Sequence, residues 1–403
     1  DIQRGCEANL FAITPALRRA PMPLSGAGVT KGCLLGVGHP LLDISCEVET
    51  KLVTKYGLSM DNTIMAEAKH VNLYKELESL PTVKYIAGGS TMNTIRVAQW
   101  MLQVAGSTSF IGCVGKDAAA ERLRKCVASD HVQAYFCTEQ KMPTGKCACL
   151  IVDKERSMVT DLQAARQYKK GHLLTEQISP VCAAAKIVYV AGFMINGTLD
   201  TVMYLAEKCS KADTRFCMNL SAPFLMTVKH FADLFKKVVQ YIDILFGNEV
   251  EALAFGRMMG YQTEKIESIA LAASKEKSLT GKSRIVVFTE GPKRTVLACN
   301  GAVHVYNVPK LDPERVVDTN GAGDAFVGGF LAHLLKGHDL SVCVDAGHFA
   351  SQTIIRTSGT AIPVSPPSYV AKKASLKQQQ QLKTEVGSGF LACCNRRKTT
   401  ATR

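Results

Sequence analysis

The stretch Asp318-Thr319-Asn320-Gly321-Ala322-Gly323-Asp324 decides the fold, because it follows a short β-branched run and leads directly into an apolar helical segment. A strand, a glycine turn and a helix start in this order are typical of an anion site, where backbone N–H groups point at a phosphate. Gly321 and Gly323 permit the tight turn. Asp324 then stands beside the phosphate, where a carboxylate is repelled unless it accepts a proton. The stretch therefore predicts a phosphate site with a general base, and a simple helix N-cap is the alternative for Asp324.

Outward from this stretch, short apolar runs alternate with amphipathic segments. The predicted strands are Cys33–Val37, Phe110–Val114, Ile187–Ala191, Phe216–Leu220, Ile242–Phe246, Ile285–Phe288 and Val316–Val317. This alternation predicts an α/β fold with a large, mostly parallel sheet flanked by helices. Two further regions, about 43–87 and 137–165, contain half-exposed alternating strands and predict a small β-rich lid.

The chain divides into three parts by composition. We predict an irregular N-terminal extension over 1–31, one folded domain over 32–367 and a basic tail over 368–403. The formal charge is +13, and the segment 370–403 alone carries eight Lys or Arg against one Glu. The basic balance therefore describes the tail, and we expect no nucleic-acid partner. Cys393 and Cys394 precede a basic cluster, so an acylated membrane anchor is the alternative to a solvated, disordered tail.

Several classes of protein are disfavoured by what the sequence lacks. No run approaches 18 apolar residues, so we expect no transmembrane helix. Fifteen cysteines without a C-x-x-C pair or zinc spacing favour reduced thiols in the cytoplasm, with the nucleus left open as a second location. P-loop and protein-kinase motifs are absent. The start of a dinucleotide fingerprint at Gly36-Val37-Gly38-His39-Pro40-Leu41 is incomplete, which disfavours a nicotinamide oxidoreductase.

Two more motifs each follow a predicted strand and open a helix. Gly88-Gly89-Ser90-Thr91-Met92-Asn93 allows close approach of a polyhydroxylated ligand, and a plain turn is the alternative. In the run Phe246–Ala252, Asn248 and Glu251 are three residues apart. That spacing fits a helix capping box, and it also fits a water-mediated Mg²⁺ site beside nucleotide phosphates.

In their order and spacing, these three motifs resemble the ribokinase-like (PfkB-type) small-molecule kinases. Within that family, Asn219-Leu220-Ser221-Ala222-Pro223-Phe224 and the other motifs are similar to the branch that phosphorylates adenosine, over roughly 32–363. The resemblance implies an ATP- and Mg²⁺-dependent enzyme of purine salvage that phosphorylates the 5′-hydroxyl of adenosine, giving AMP and ADP. A related kinase for another nucleoside or a sugar is the alternative, and a non-catalytic binder that uses the basic tail is a rival from another class. We expect a monomer without membrane association.

The resemblance also implies roles for individual residues. Asp324 is the expected catalytic base, and Arg156 is expected to neutralise the transferring phosphoryl group. The expected anion hole consists of Asn320, Gly321, Ala322 and Gly323. The expected ribose side consists of His39, Asp43, Gly88, Gly89, Ser90 and Asn93. The adenine candidates, each equally at home in an ordinary core, are Met65, Cys147, Met158, Leu162, Phe193 and Met194. ATP is expected at Asn248, Thr289, Gly291, Gly321 and Gly323, with Mg²⁺ held through water by Asn248 and Glu251.

One residue departs from the family pattern. Where these kinases usually read G-N-P-L-L-D, this chain has Gly38-His39-Pro40-Leu41-Leu42-Asp43. An imidazole still donates and accepts hydrogen bonds, but its shape and charge differ from those of an amide. His39 is therefore either a tolerated neighbour of Asp43 or a residue that changes substrate affinity and its pH dependence.

Overall fold

A computed structural model describes residues 28–60, 62–153 and 155–371 of the chain. The expectations for the N-terminal extension before residue 28, and for the tail beyond residue 371, lie outside the described residues. The strands are β1 Leu34–Val37, β2 Leu41–Glu47, β3 Asn62–Met65, β4 Lys84–Gly88, β5 Thr108–Gly115, β6 Gln133–Glu139, β7 Lys146–Val152, β8 Glu155–Asp161, β9 Ile187–Ala191, β10 Arg215–Asn219, β11 Ile244–Asn248, β12 Ile285–Glu290, β13 Arg294–Cys299 and β14 Ala302–Asn307.

The larger sheet has nine strands in the order β14-β13-β12-β11-β10-β9-β1-β5-β6. The strands from β12 to β6 in this order pair in parallel, whereas β13 and β14 are antiparallel. Their residues are apolar on both faces, for example Ile187–Ala191, which is buried throughout. This is the pattern of a parallel sheet covered on both sides, so the predicted fold class is confirmed.

Helices pack against both faces of this sheet, and the first two helices of the chain pack against the smaller sheet. They are α1 Thr50–Lys55, α2 Val71–Glu78, α3 Ser90–Leu102, α4 Ala118–Ser129, α5 Ser179–Ala184, α6 Ile195–Ser210, α7 Phe224–Thr227, α8 Lys229–Val239, α9 Glu249–Met259, α10 Ile266–Lys275, α11 Ala322–Leu335 and α12 Leu340–Ile354. Apolar side chains of α3, α4, α11 and α12 form the core on one face, and those of α5 to α10 form the core on the other. Among the described residues, no helix is both long and apolar enough to span a membrane.

The smaller sheet has five strands in the order β3-β8-β7-β2-β4. Its outer face packs against α1 and α2 through a separate apolar cluster that includes Ile44 and Leu150. Its inner face carries Asp43, Cys147 and Thr160 side by side across β2, β7 and β8. The strands of this sheet lie within residues 41–88 and 146–161. The second predicted lid region, about 137–165, begins too early, because β6 extends to Glu139 and belongs to the larger sheet.

One predicted strand is wrong. Val316–Val317 is not part of either sheet; instead, the N–H groups of Val317 and Asp318 both donate to the carbonyl of Ile355 at the end of α12. The segment that leads into the anion turn is therefore held by the C-terminus of α12 and not by a neighbouring strand. The edge of the large sheet is completed by the hairpin β13–β14, which the sequence analysis did not identify.

Candidate active site

The turn before α11 is shaped by a glycine in the left-handed region. Gly321 has φ +76°, and a Cβ atom there would lie 2.2 Å from Thr360 Oγ1, so no other residue fits without displacement. The N–H of Asn320 donates to Asp318 Oδ1 at 3.0 Å, which holds the turn closed. A Cβ atom at Gly323, by contrast, would meet nothing within 4 Å. The helix N-terminus therefore opens into free space at Gly323, as an anion site requires.

Asp324 lies in the first turn of α11 and does not cap it. The N-cap residue is Gly321, without a side-chain cap, which excludes the N-cap alternative. Asp324 Oδ1 accepts a hydrogen bond from Ser90 Oγ at 2.7 Å, and Oδ2 accepts one from Asn93 Nδ2 at 3.1 Å. Burial raises the pKa of Asp324 to about 6, against the lowering effect of these two hydrogen bonds. The carboxyl group is thus poised to exchange a proton near neutral pH.

The glycine pair makes room for Asp43 and for the segment before it. A Cβ atom at Gly88 would lie 2.1 Å from Asp43 Oδ1, and one at Gly89 would lie 2.2 Å from the carbonyl oxygen of His39. Gly89 also has φ +94°, so the pair is more than a plain turn. The pKa of Asp43 is raised to about 7 by burial, with Arg96 and Arg156 opposing the shift. The segment 88–93, which opens α3, therefore contacts both Asp43 and Asp324.

His39 is buried on the same side of the site. Its Nε2 atom has no hydrogen-bond partner in the described part of the chain, and the same holds for Oδ1 of Asn93. The pKa of His39 is lowered to about 4, first by burial and then by repulsion from Arg166. The imidazole is therefore neutral at physiological pH. Two buried polar atoms without partners mark this side as one that a polar ligand can satisfy.

Arg156 joins the small sheet to the anion turn. Its Nη2 atom lies 2.9 Å from Asp318 Oδ2 and donates to Ser358 Oγ at 2.9 Å. The side chains of Arg156 and Asp318 are only 9% and 3% exposed, so this ion pair is buried. Asp318 Oδ2 also accepts the N–H of Gly359 at 2.7 Å. Arg156 Nε has no partner among the described residues, which leaves a donor free beside the turn.

Asn248 and Glu251 form the capping box of α9. Asn248 Oδ1 accepts the N–H of Glu251 at 2.9 Å, and Glu251 Oε2 accepts the N–H of Asn248 at 3.0 Å. The pKa of Glu251 is raised to about 7, mainly by burial and in part by the charge of Asp324. Thr289 is the neighbour of Asn248 on β12, and Gly291 follows with φ +51°. These residues lie at the carboxyl ends of adjacent parallel strands, where α/β proteins bind ligands.

The six adenine candidates are not brought together. Cys147, Met158 and Leu162 belong to one small apolar cluster on the inner face of the small sheet. Met65 is 54% exposed on the edge strand β3. Met194 is buried in the core of the large sheet, and Phe193 contacts Phe224 at a ring separation of 6.4 Å.

Three residues at this site were missed by the sequence analysis. Asp318 stands in the quoted motif but received no role, although it anchors Arg156. Ser358 and Thr360 come from the segment after α12, which contains no motif. Only the tertiary fold brings that segment to the anion turn.

Comparison with known proteins identifies the family. The model of the pfkB family of carbohydrate kinases matches residues 50–367. Adenosine kinase 2 of Arabidopsis thaliana is 42% identical over 83% of this chain and 97% of its own length. The adenosine kinase of Dictyostelium discoideum is 40% identical over the same shares.

Solved structures agree with the sequence relatives. The Anopheles gambiae adenosine kinase, crystallised with P1,P4-di(adenosine-5) tetraphosphate, superposes with a TM-score of 0.76 at 38% identity, covering 82% of this chain and 97% of its own. The Schistosoma mansoni adenosine kinase in complex with 2-fluoroadenosine gives 0.77 at 32% identity, covering 85% and 100%. The chain therefore belongs to the pfkB family of carbohydrate kinases, in the group that contains the adenosine kinases.

Proposed function

We propose that the protein is an adenosine kinase, which transfers the γ-phosphoryl group of ATP to the 5′-hydroxyl of adenosine and releases AMP and ADP. The observation that carries this proposal is the position of Asp324. Its carboxyl group is half-buried, is held by Ser90 and Asn93, and stands at the open N-terminus of α11. The identity of 42% to an adenosine kinase over most of the chain supports adenosine as the phosphoryl acceptor.

Asp324 acts as the general base in this reaction. With a pKa of about 6 it is mainly ionised at neutral pH, so it can accept the proton of the 5′-hydroxyl as the O–P bond forms. Ser90 and Asn93 fix the orientation of its two oxygens. Asp43 and Asn93 hold the ribose hydroxyls, and His39 contributes its unpartnered Nε2 atom on the same side. Cys147, Met158 and Leu162 form the apolar side of the adenine pocket.

Charge neutralisation is divided between the turn before α11 and the small sheet. The backbone N–H groups of 320–323 receive the phosphate oxygens at the N-terminus of α11. Arg156 approaches from the small sheet, and its unpartnered Nε–H is available to the transferring group while Nη2 stays with Asp318. Because phosphoryl transfer passes through a loose transition state, positioning and neutralisation account for most of the catalysis.

We assign Mg²⁺ to the Asn248–Glu251 pair, through water. Both oxygens of Glu251 already accept hydrogen bonds from Asn248, so direct ligation would compete with the capping box. The donor set is nevertheless a carboxylate and an amide, which suits a hydrated hard cation. Bound there, Mg²⁺ would neutralise charge on the ATP phosphates.

We also propose that the enzyme acts as a monomer in the cytoplasm. The support for the compartment is the state of the cysteines, because all twelve in the described part of the chain are free thiols. Analytical ultracentrifugation of the full chain measures its mass in solution and so tests whether it is a monomer.

The experiment that tests the function is ADP formation from Mg·ATP with adenosine, inosine, ribose and fructose as separate acceptors. Adenosine should give the highest kcat/KM, and Asp324→Asn should lower kcat by at least about 100-fold with ATP binding retained. The matched control is Asp233→Asn, which changes an exposed aspartate of α8 in the same way. Preference for a sugar would assign the protein to another branch of the family, and full activity of Asp324→Asn would exclude the general base.

A further inference from the structure

Two thiols lie side by side on the inner face of the small sheet. Cys147 and Cys149 are two residues apart on β7, so their side chains point to the same side. Their Sγ atoms are 4.0 Å apart, and the residues are only 1% and 3% exposed. Thr160 Oγ1 donates to Cys147 Sγ at 3.4 Å. The pair is thus buried, and Cys147 is held by a hydrogen bond.

The spacing fits a bridging atom better than a disulfide. Two steps along a strand separate the Cα atoms by about 6.6 Å, which is close to the disulfide limit of about 6.8 Å. One atom bonded to both sulfurs meets no such limit. Two bonds of about 2.3 Å, the length of a zinc–thiolate bond, span 4.0 Å at an angle of roughly 120°. This angle is that of a trigonal centre, which takes one more ligand.

Met158 is the candidate for a third sulfur ligand. It lies directly opposite Cys149 across the β7–β8 pair. It also packs with both cysteines, Leu41 and Ala165 in one apolar cluster. Thiolate and thioether ligands select Cu(I), whereas oxygen ligands suit Mg²⁺. The chemistry of this cluster is therefore that of a soft monovalent metal.

We propose that Cys147, Cys149 and Met158 form a Cu(I) site, and that its occupation blocks the adenosine pocket. The second part rests on the proposed function, because Cys147 and Met158 are also the side chains assigned to adenine. Binding replaces two thiol protons: Cu⁺ and two Cys–SH give a bis-thiolate complex of charge −1 and two H⁺, and the thioether adds as a neutral donor. Copper stays in the +1 state throughout.

Two charged side chains act on the cysteine pair. The pKa of Cys149 is raised by its hydrogen bond with Cys147 and by burial. Asp43 and Arg156 are the charged side chains that act on Cys149, with opposite effects. Arg156 offsets the negative charge that the bis-thiolate complex would carry.

The test is an anaerobic Cu(I) titration of the full chain against a chromophoric Cu(I) chelator. Cys149→Ser should weaken the tight site by more than about 100-fold, because loss of an outer-shell partner alone reduces metal affinity by about 10–100-fold. Cys46→Ser is the matched control, since Cys46 is a fully buried thiol on the outer face of the same sheet. A Cys393→Ser/Cys394→Ser variant excludes the adjacent tail thiols as the source of the signal.

A tight site that survives in Cys149→Ser, or one that is lost in the tail variant, would overturn the proposal. If Cys149→Ser does not fold, Met158→Leu replaces it, because that change keeps the volume and removes only the thioether. Its tight site should weaken by at least about 10-fold, and unchanged Cu(I) affinity in Met158→Leu would equally overturn the proposal.

Competition with adenosine separates the metal site from the proposed function. Saturating adenosine should weaken Cu(I) binding, and Cu(I) should raise the KM for adenosine without changing kcat. If Cu(I) binds to these sulfurs but adenosine does not compete, the proposal that the metal blocks the adenosine pocket is refuted. In that outcome the metal site stands, and the adenine pocket lies elsewhere.

Discussion

At the scale of single residues, we expect the two hydrogen bonds to Asp324 to influence the pH range of the reaction. Both donors stabilise the ionised carboxylate against burial, which raises its pKa to about 6. Because the base must be ionised, kcat/KM should fall as the pH drops through about 6 and level off above it. Ser90→Ala removes one donor, worth about 1.5 kcal/mol for a charged acceptor, so the acid limb should move up by about one pH unit. Ser129→Ala, an exposed hydroxyl on α4, is the control in the same pH–rate measurement, and an unmoved acid limb would show that another group titrates.

The two glycines of the anion turn differ in what limits them. Gly321→Ala places Cβ against Thr360 and forces a positive φ, so the Tm should fall by an amount corresponding to at least about 1–2 kcal/mol. Gly323→Ala meets open space within a helix, where alanine is favoured by about 1 kcal/mol, so the Tm should hold or rise. The new methyl group would instead stand where the phosphate approaches and raise the KM for ATP. Thermal melting and ATP kinetics of both variants distinguish the two effects, and an equal Tm would contradict the structural difference.

At the scale of elements, the ion pair between Arg156 and Asp318 connects β8 of the small sheet to the anion turn before α11. Asp318→Asn leaves a buried Arg156 without its countercharge and should destabilise by about 3–5 kcal/mol. Arg156→Gln should destabilise less, because Asp318 keeps the N–H groups of Asn320 and Gly359. The double variant should lose less unfolding free energy than the two single variants together, and the difference, measured by urea unfolding, should be about 0.5–3 kcal/mol. The exposed pair Lys229 and Asp233 on α8 is the control cycle and should give about 0.5 kcal/mol or less; equal couplings would mean that the Arg156 pair is no stronger than a surface contact.

The elements also show what the sequence could and could not predict. Parallel strands such as β9 were identified with their bounds, because a buried run between helices has a distinct apolar pattern. The hairpin β13–β14 was missed, although Asn300 and Gly301 carry its turn signal and both have positive φ. For the active site, each motif is a local turn that can be read along the chain. The Arg156–Ser358 contact joins residues 202 positions apart, so no local pattern contains it.

At the scale of the whole molecule, all the proposed site residues lie within residues 28–371, whereas much of the positive charge lies beyond them. The segment 372–403 carries eight Lys or Arg and one Glu, so its removal lowers the formal charge from +13 to +6. Truncation after Ala371 should leave kcat and both KM values unchanged. It should also reduce retention on an anionic resin at low salt, since that binding depends on the charge. A dead truncated protein would show that the tail takes part in the reaction.

The matched control is a truncation after Ile362, which removes contacts that the shorter deletion keeps. Trp100 Nε1 donates to the carbonyl of Ser365 at 2.8 Å, and Tyr369 OH donates to Asp345 Oδ2 at 2.9 Å while its ring packs against Phe349. The segment 363–371 thus holds α3 and α12 together on the face that carries α11. Its loss should lower the Tm and reduce activity, and kinetics with melting curves for both truncations would place the functional end of the domain between Ile362 and Ala371. Equal stability of the two proteins would move that boundary to Ile362 or before it.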